Sequence, residues 1–135
     1  LLFASGSDEL TPRARTILAG VGNALVQLSN YIRVEGHTDD LPINNGRFAS
    51  NWELSCLRAA NVVHVLSESA GIPSNRLSIV GYGQYRPLVP NEDTLSRAMN
   101  RRVDIVILKQ KYDYFEPPKM SATESAASGA AANKP

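Results

Sequence analysis

The sequence predicts an α/β sandwich, with helices packed on one sheet in the order β-α-β-α-β-α-β. Three observations lead there. Short runs that alternate apolar and polar residues take turns along the chain with longer runs whose apolar residues fall three and four apart. Cap sequences mark the helix starts, Thr11-Pro12 and Ser50-x-x-Glu53. The chain has 135 residues, 43% of them hydrophobic and 20% charged, which suits one domain with its own core.

Taken in order, Leu1 to Ala4 reads as a short buried strand and Ser5-Gly6-Ser7-Asp8 as a loop. A helix follows Thr11, with Ala14, Ile17, Leu18, Val21, Leu25 and Leu28 as its apolar stripe, weakened by Gly20 and Gly22. Tyr31 to Gly36 alternates, Ile32 and Val34 against Arg33 and Glu35, as a half-buried strand does. A polar loop, residues 37–49, leads to a helix starting at Asn51. Its expected buried stripe is Trp52, Cys56, Ala59, Val63, Leu66 and Ala70, and it stops at Gly71 and Pro73. Leu77 to Tyr82 is a third strand, Asn91 to Met99 a loop and short helix, and Val103 to Leu108 a fourth strand. The domain is expected to span residues 1–110. Residues 111–135, rich in Ala and Ser from Ser121 onward, are expected to be a disordered tail, because they offer little apolar surface to offset the entropy of ordering.

Composition narrows the function. A formal net charge of +1 gives neither a nucleic-acid groove nor a polybasic membrane patch. The single cysteine, Cys56, excludes an internal disulfide, and with only His37 and His64 no metal site and no cofactor are expected. No apolar run approaches the roughly 20 residues of a membrane helix, and no signal peptide is visible. The abrupt opening on Leu1-Leu2-Phe3 reads as the interior of a strand, and so as a piece of a longer chain.

Three segments carry chemistry: Gly36-His37-Thr38-Asp39 at a strand end, Asn51 to Ala59 opening the long helix, and Asn100-Arg101-Arg102-Val103-Asp104 entering the last strand. Asp39 lies where α/β folds place ligand loops. Asn51 and Arg58 are seven residues apart, so they lie nearly in line on the flank of the stripe begun by Trp52. An acid from the loop and a guanidinium from the helix can then face each other across a small cleft. That pair suits a zwitterion, the carboxylate holding an ammonium and the guanidinium gripping a carboxylate. A plain surface salt bridge between Asp39 and Arg58, worth about 0–1 kcal/mol, is the commoner outcome for such residues, and both readings stay open at this point.

Four blocks in the right order resemble the OmpA-like C-terminal domain: Gly36 to Asp39, Asn51-x-x-Leu54-Ser55-x-x-Arg58-Ala59, Gly81-Tyr82-Gly83-x-x-x-Pro87, and Arg97-Ala98-x-Asn100-Arg101-Arg102-Val103. The resemblance covers roughly Leu1 to Leu108 and implies that the single sheet is mixed. Asp39-Asp40-Leu41-Pro42-Ile43, Ser50 to Ser55 and Phe3-Ala4-Ser5-Gly6-Ser7 are similar to the MotB and PomB family of flagellar stator B subunits. The outer-membrane OmpA and peptidoglycan-associated lipoprotein branches, the alternative, usually have a shorter loop and lack the Trp after Asn51.

The resemblance implies non-catalytic binding of the peptidoglycan stem peptide at its diaminopimelate. Asp39 would take the ammonium and Arg58 the carboxylate. Thr38, Asn51 and Leu54 would line the pocket, and Arg101 would add a second positive contact. An Asn that touches the ligand in some relatives is replaced here by Gly6. The resemblance further implies a homodimer, a membrane stator A subunit as partner, and a periplasmic location below an N-terminal membrane helix absent from this chain.

A wall hydrolase is the competing class, and its acid–base pair needs a carboxyl of raised pKa facing another carboxylate. The acids at hand are Asp39, opposite a guanidinium, beside it Asp40, and Glu53, taken by the capping box. A nucleic-acid module is excluded by the missing strand aromatics. Among the remaining residues, His37 is read as a structural histidine bonding loop backbone, Cys56 and Trp52 as core, and Tyr85 as a surface contact.

Overall fold

The computed structural model describes residues 2–111; Leu1 and the tail expected beyond lie outside them. Helix α1 (Pro12–Leu25) starts as its cap sequence predicts, the Thr11 hydroxyl accepting from the Ala14 N–H at 3.1 Å. Strand β1 (Asn30–Gly36) buries Ile32 and Val34. Helix α2 (Asn51–His64) begins at Ser50, whose hydroxyl accepts from the Trp52 N–H and donates to the Glu53 carboxylate. A π-helical turn (Val65–Ser69) prolongs it, and a 3-10 turn (Ser74–Arg76) leads to β2 (Leu77–Gly81). Helix α3 (Thr94–Asn100), capped by Asp93, precedes β3 (Val103–Lys111).

The sheet is mixed, in the order β2-β1-β3, with β1 parallel to β2 and antiparallel to β3. Helices on one mixed sheet are the architecture the sequence predicts. The expected first strand is not there: residues 2–4 form no strand, and the sheet has three strands among the described residues. Phe3 is nonetheless fully buried. Its hydrophobicity reports burial, which a loop segment provides equally well.

Two helices are turned relative to their predicted faces. In α1 the buried residues are Ala14, Leu18, Gly22 and Leu25, while Ile17 of the expected stripe is 53% exposed. Gly22 is the contact point rather than a weakness, because a Cβ there would overlap that of Ala70. In α2 the buried face is Asn51, Leu54, Ser55, Arg58, Ala59 and Val62, with Trp52 49% exposed and Cys56 exposed too. Neither Trp52 nor Cys56 is core.

The cause is the closeness of α2 to the sheet. A Cβ on Gly36 would overlap the Ser55 carbonyl, and one on Gly81 would overlap Ser55 Oγ and Cys56 Sγ. Helix and strands touch backbone to backbone, so the small Ser55, not the large Trp52, must face inward. Ser55 Oγ is satisfied there, donating to the Trp52 carbonyl at 2.8 Å and accepting from the Gly83 N–H at 2.9 Å. Gly36→Ala is therefore expected to destabilise the domain by about 3 kcal/mol, the scale of overpacking a tight contact. Gly46→Ala, at a position with open space, should change urea unfolding by less than about 0.5 kcal/mol.

Candidate functional site

Strand β1 ends at Gly36, and the next three residues are buried. Thr38 is held at both ends: its N–H donates to the Gly83 carbonyl and its hydroxyl to the Asp39 carbonyl at 2.8 Å. These bonds aim the Asp39 side chain across the sheet end toward α3. One Asp39 oxygen accepts from the Leu41 N–H at 3.1 Å, the other from Arg101 Nη1 at 2.9 Å. Arg101 is the residue at which α3 ends, and its Nε is buried with no hydrogen-bond partner among the described residues.

Asn51, at the first turn of α2, ties the loop to the helix. Its amide nitrogen donates to the Leu41 carbonyl at 3.1 Å and to Gln84 Oε1 at 3.0 Å. Asp39, Asn51 and Leu54 share a cavity of about 170 Å³ with Leu41, Pro42 and Ile43 on one side and the Ser5-Gly6 turn on the other. That is smaller than the roughly 300–1,000 Å³ of pockets enclosing drug-sized ligands, so it fits a small polar head and not a long chain.

Arg58 does not face Asp39 across the cavity as the helical spacing predicts. Its guanidinium makes no salt bridge with Asp39. It is fully buried and donates to three carbonyls: Nε to Ser7 at 2.8 Å, Nη1 to His37 at 3.1 Å and Nη2 to Ala4 at 3.1 Å. Phe3 lies against it, 5.1 Å from Cζ to ring centroid. Burial lowers its pKa to about 10, with the nearby Asp39 charge acting in the opposite sense, so it remains a cation at neutral pH. The carbonyls of Ala4 and Ser7 bracket the Ser5-Gly6 turn, closed by the Ser7 N–H to Ala4 carbonyl bond and by the positive φ of Gly6. Arg58 thus builds one wall of the cavity from behind.

The family description "OmpA family" matches residues 2–101. The chain belongs to the OmpA family. Motility protein B of Bacillus subtilis (strain 168) is 36% identical over 109 residues, which is 80% of this chain and 42% of that protein; the chain thus spans less than half the length of that relative. The crystallised C-terminal domain of Helicobacter pylori MotB superposes with a TM-score of 0.73 at 29% identity, covering 80% of this chain and 83% of that one. The cell wall anchor of the T6SS from Pseudomonas aeruginosa gives a TM-score of 0.72 at 33% identity, covering 81% and 76%. No helix among the described residues is long and apolar enough to cross a membrane.

Within this OmpA-family domain, Asp39, Asn51 and Leu54 line the cavity and Arg101 joins them through Asp39, while Thr38 and Arg58 stand behind it. Sequence reasoning missed Gln84, for which the Gly81-to-Pro87 block was the available signal; Gly6, which the resemblance set at a ligand-touching position, lies in the cavity wall with Ser5. Beside the cavity, Trp52 stacks on the 63%-exposed Tyr85 with ring centroids 4.9 Å apart. His37 makes no ring bond to loop backbone as expected; it stacks on Tyr82 at 5.2 Å, and burial and Arg102 lower its pKa. Hydrogen bonding to Ser50 lowers the pKa of Glu53, the opposite of what a general acid needs.

Arg58→Ala should destabilise the domain by roughly 3–5 kcal/mol in urea unfolding, because three carbonyls lose their donor at once. Trp52→Ala should cost only about 1 kcal/mol, well short of the ~3–5 kcal/mol of a core tryptophan.

Proposed function

We propose that this domain anchors its parent protein to the cell wall by non-catalytic binding of peptidoglycan, taking the diaminopimelate of the stem peptide into the cavity at Asp39. The observation that carries the reading is a carboxylate lining a cavity sized for an amino-acid head and paired with a guanidinium just behind it. Such a pair recognises a zwitterion: Asp39 takes the ammonium, and Arg101, with its spare buried Nε, meets the carboxylate. Arg58 supplies positive charge from behind, and reaches the carboxylate directly when the Ser5-Gly6 turn opens. Thr38 and Asn51 fix the loop that carries Asp39, and Leu54 packs against the ligand's aliphatic chain.

Relatives named for motility support the flagellar version of this reading. In it the parent protein is a stator B subunit, held in the cytoplasmic membrane by an N-terminal helix, dimeric, and paired with a larger stator A subunit. This domain then works in the periplasm as the fixed point against which torque is developed. The structural likeness to a secretion-system wall anchor supports the broader alternative, a wall anchor of a non-flagellar envelope protein. Neither version requires chemistry on the wall.

Co-sedimentation with purified sacculi tests the site. Wild type should pellet with sacculi and be released by excess free diaminopimelate. Asp39→Asn keeps the side-chain shape and should cost roughly 3 kcal/mol by leaving Arg101 without its charge partner, and the folded domain should lose most of the pelleting. A folded Asp39→Asn domain that binds sacculi as wild type does would overturn the assignment.

A further inference from the structure

On the sheet face away from α2, one polar side chain is buried without a hydrogen bond. Both ring nitrogens of His37 lack a hydrogen bond among the described residues, although the residue is only 2% exposed. Buried polar groups in native proteins are almost always satisfied, and an exception points to a bound species. Alternation along β1 puts Val34 and Gly36 toward α2 and Glu35 on the opposite face. The antiparallel register sets Glu35 directly beside Asp104 of β3. Two carboxylates side by side repel; Arg33 and Arg102 each offset one of them from the flank, and the space between the two acids faces His37.

The geometry points to a divalent transition-metal site formed by Glu35, His37 and Asp104, of the Zn²⁺ type. One donor atom from each lies within 4.8 Å of the others, and His37 Nε2 is 3.3 Å from Asp104 Oδ2 without hydrogen-bond geometry. Tetrahedral bonds of about 2.0–2.2 Å hold donors roughly 3.3–3.6 Å apart, so side-chain shifts of about 1 Å, within reach of a carboxylate rotation, close the triad. One imidazole with two carboxylates suits zinc, copper or nickel; magnesium and calcium prefer oxygen alone. The fourth position falls to water.

Three guanidiniums limit the affinity. Arg33 Nε donates to Glu35 Oε2 at 2.8 Å, Arg102 Nε to Asp104 at 3.2 and 3.3 Å, and Arg86 lies over the Tyr82 ring. Both bonds that Glu35 accepts, from Arg33 and from the Tyr82 hydroxyl, fall on Oε2, which leaves Oε1 for the ion. Tyr82 orients the ligand as an outer-shell partner. The sequence contains only two histidines, His37 and His64, so their ring signals report separately on where an ion binds.

The test is a Zn²⁺ titration of the untagged chain by calorimetry, with NMR of the two histidine rings. The expected result is one ion whose binding shifts the His37 ring signals, with affinity about ten-fold or more weaker in Glu35→Gln and in Asp104→Asn. His64→Ala, removing the exposed histidine that contacts Glu68, should leave that binding unchanged. Zinc that perturbs only His64 overturns the proposal, as does equal affinity in folded Glu35→Gln and Asp104→Asn. An unperturbed His37 ring would assign its nitrogens to buried water.

Discussion

The buried guanidinium of Arg58 is the constraint on which the rest depends. A side chain of this kind is rarely buried unless its donors are satisfied, and here the satisfaction comes entirely from main chain. Carbonyls of Ala4, Ser7 and His37 converge on it from two separate segments. One cation therefore fastens the N-terminal segment to the end of β1, and both to α2. The cavity exists because these three pieces are held at fixed separation. Phe3, which has no strand to hold it, is kept in the core by the same attachment.

That arrangement explains why fold and site were legible to different depths. The caps at Thr11 and Ser50 and the alternation through Ile32 and Val34 were readable because each depends on local sequence, whereas the mixed pairing of the strands is non-local and came with the family resemblance. The phase of α2 was not. Hydrophobic periodicity assumes that the buried face is the most apolar one, and in α2 the buried face carries Asn51, Ser55 and Arg58. Those residues face inward because they meet main chain: Gly83 for Ser55, Leu41 for Asn51, three carbonyls for Arg58. Trp52 and Cys56 were displaced outward as a result.

Within the site, Asp39 was readable from its place at a strand end, and Arg101 from its motif block. Their direct pairing was not, because it depends on where α3 ends in space. Placing Arg58 opposite Asp39 took a helical wheel as sufficient, whereas the wheel gives direction but not the partners waiting there. Where every acceptor is a carbonyl, nothing in the side-chain sequence announces it.

The charge arrangement also bears on how such an anchor could let go. Asp39 is paired with Arg101 at 2.9 Å, so an ammonium brought to Asp39 competes with that partner. Ligand affinity then depends on the difference between two charge pairings, not on the full strength of either. A zwitterion wins by satisfying both members at once, its ammonium replacing Arg101 on Asp39 while its carboxylate takes the released guanidinium. A simple amine or a simple carboxylate would satisfy one member and strand the other. On the proposed reading, selectivity for an amino-acid head follows from that pairing, and so does reversibility: when the ligand leaves, Asp39 and Arg101 close on each other, and neither of the two charges is left alone.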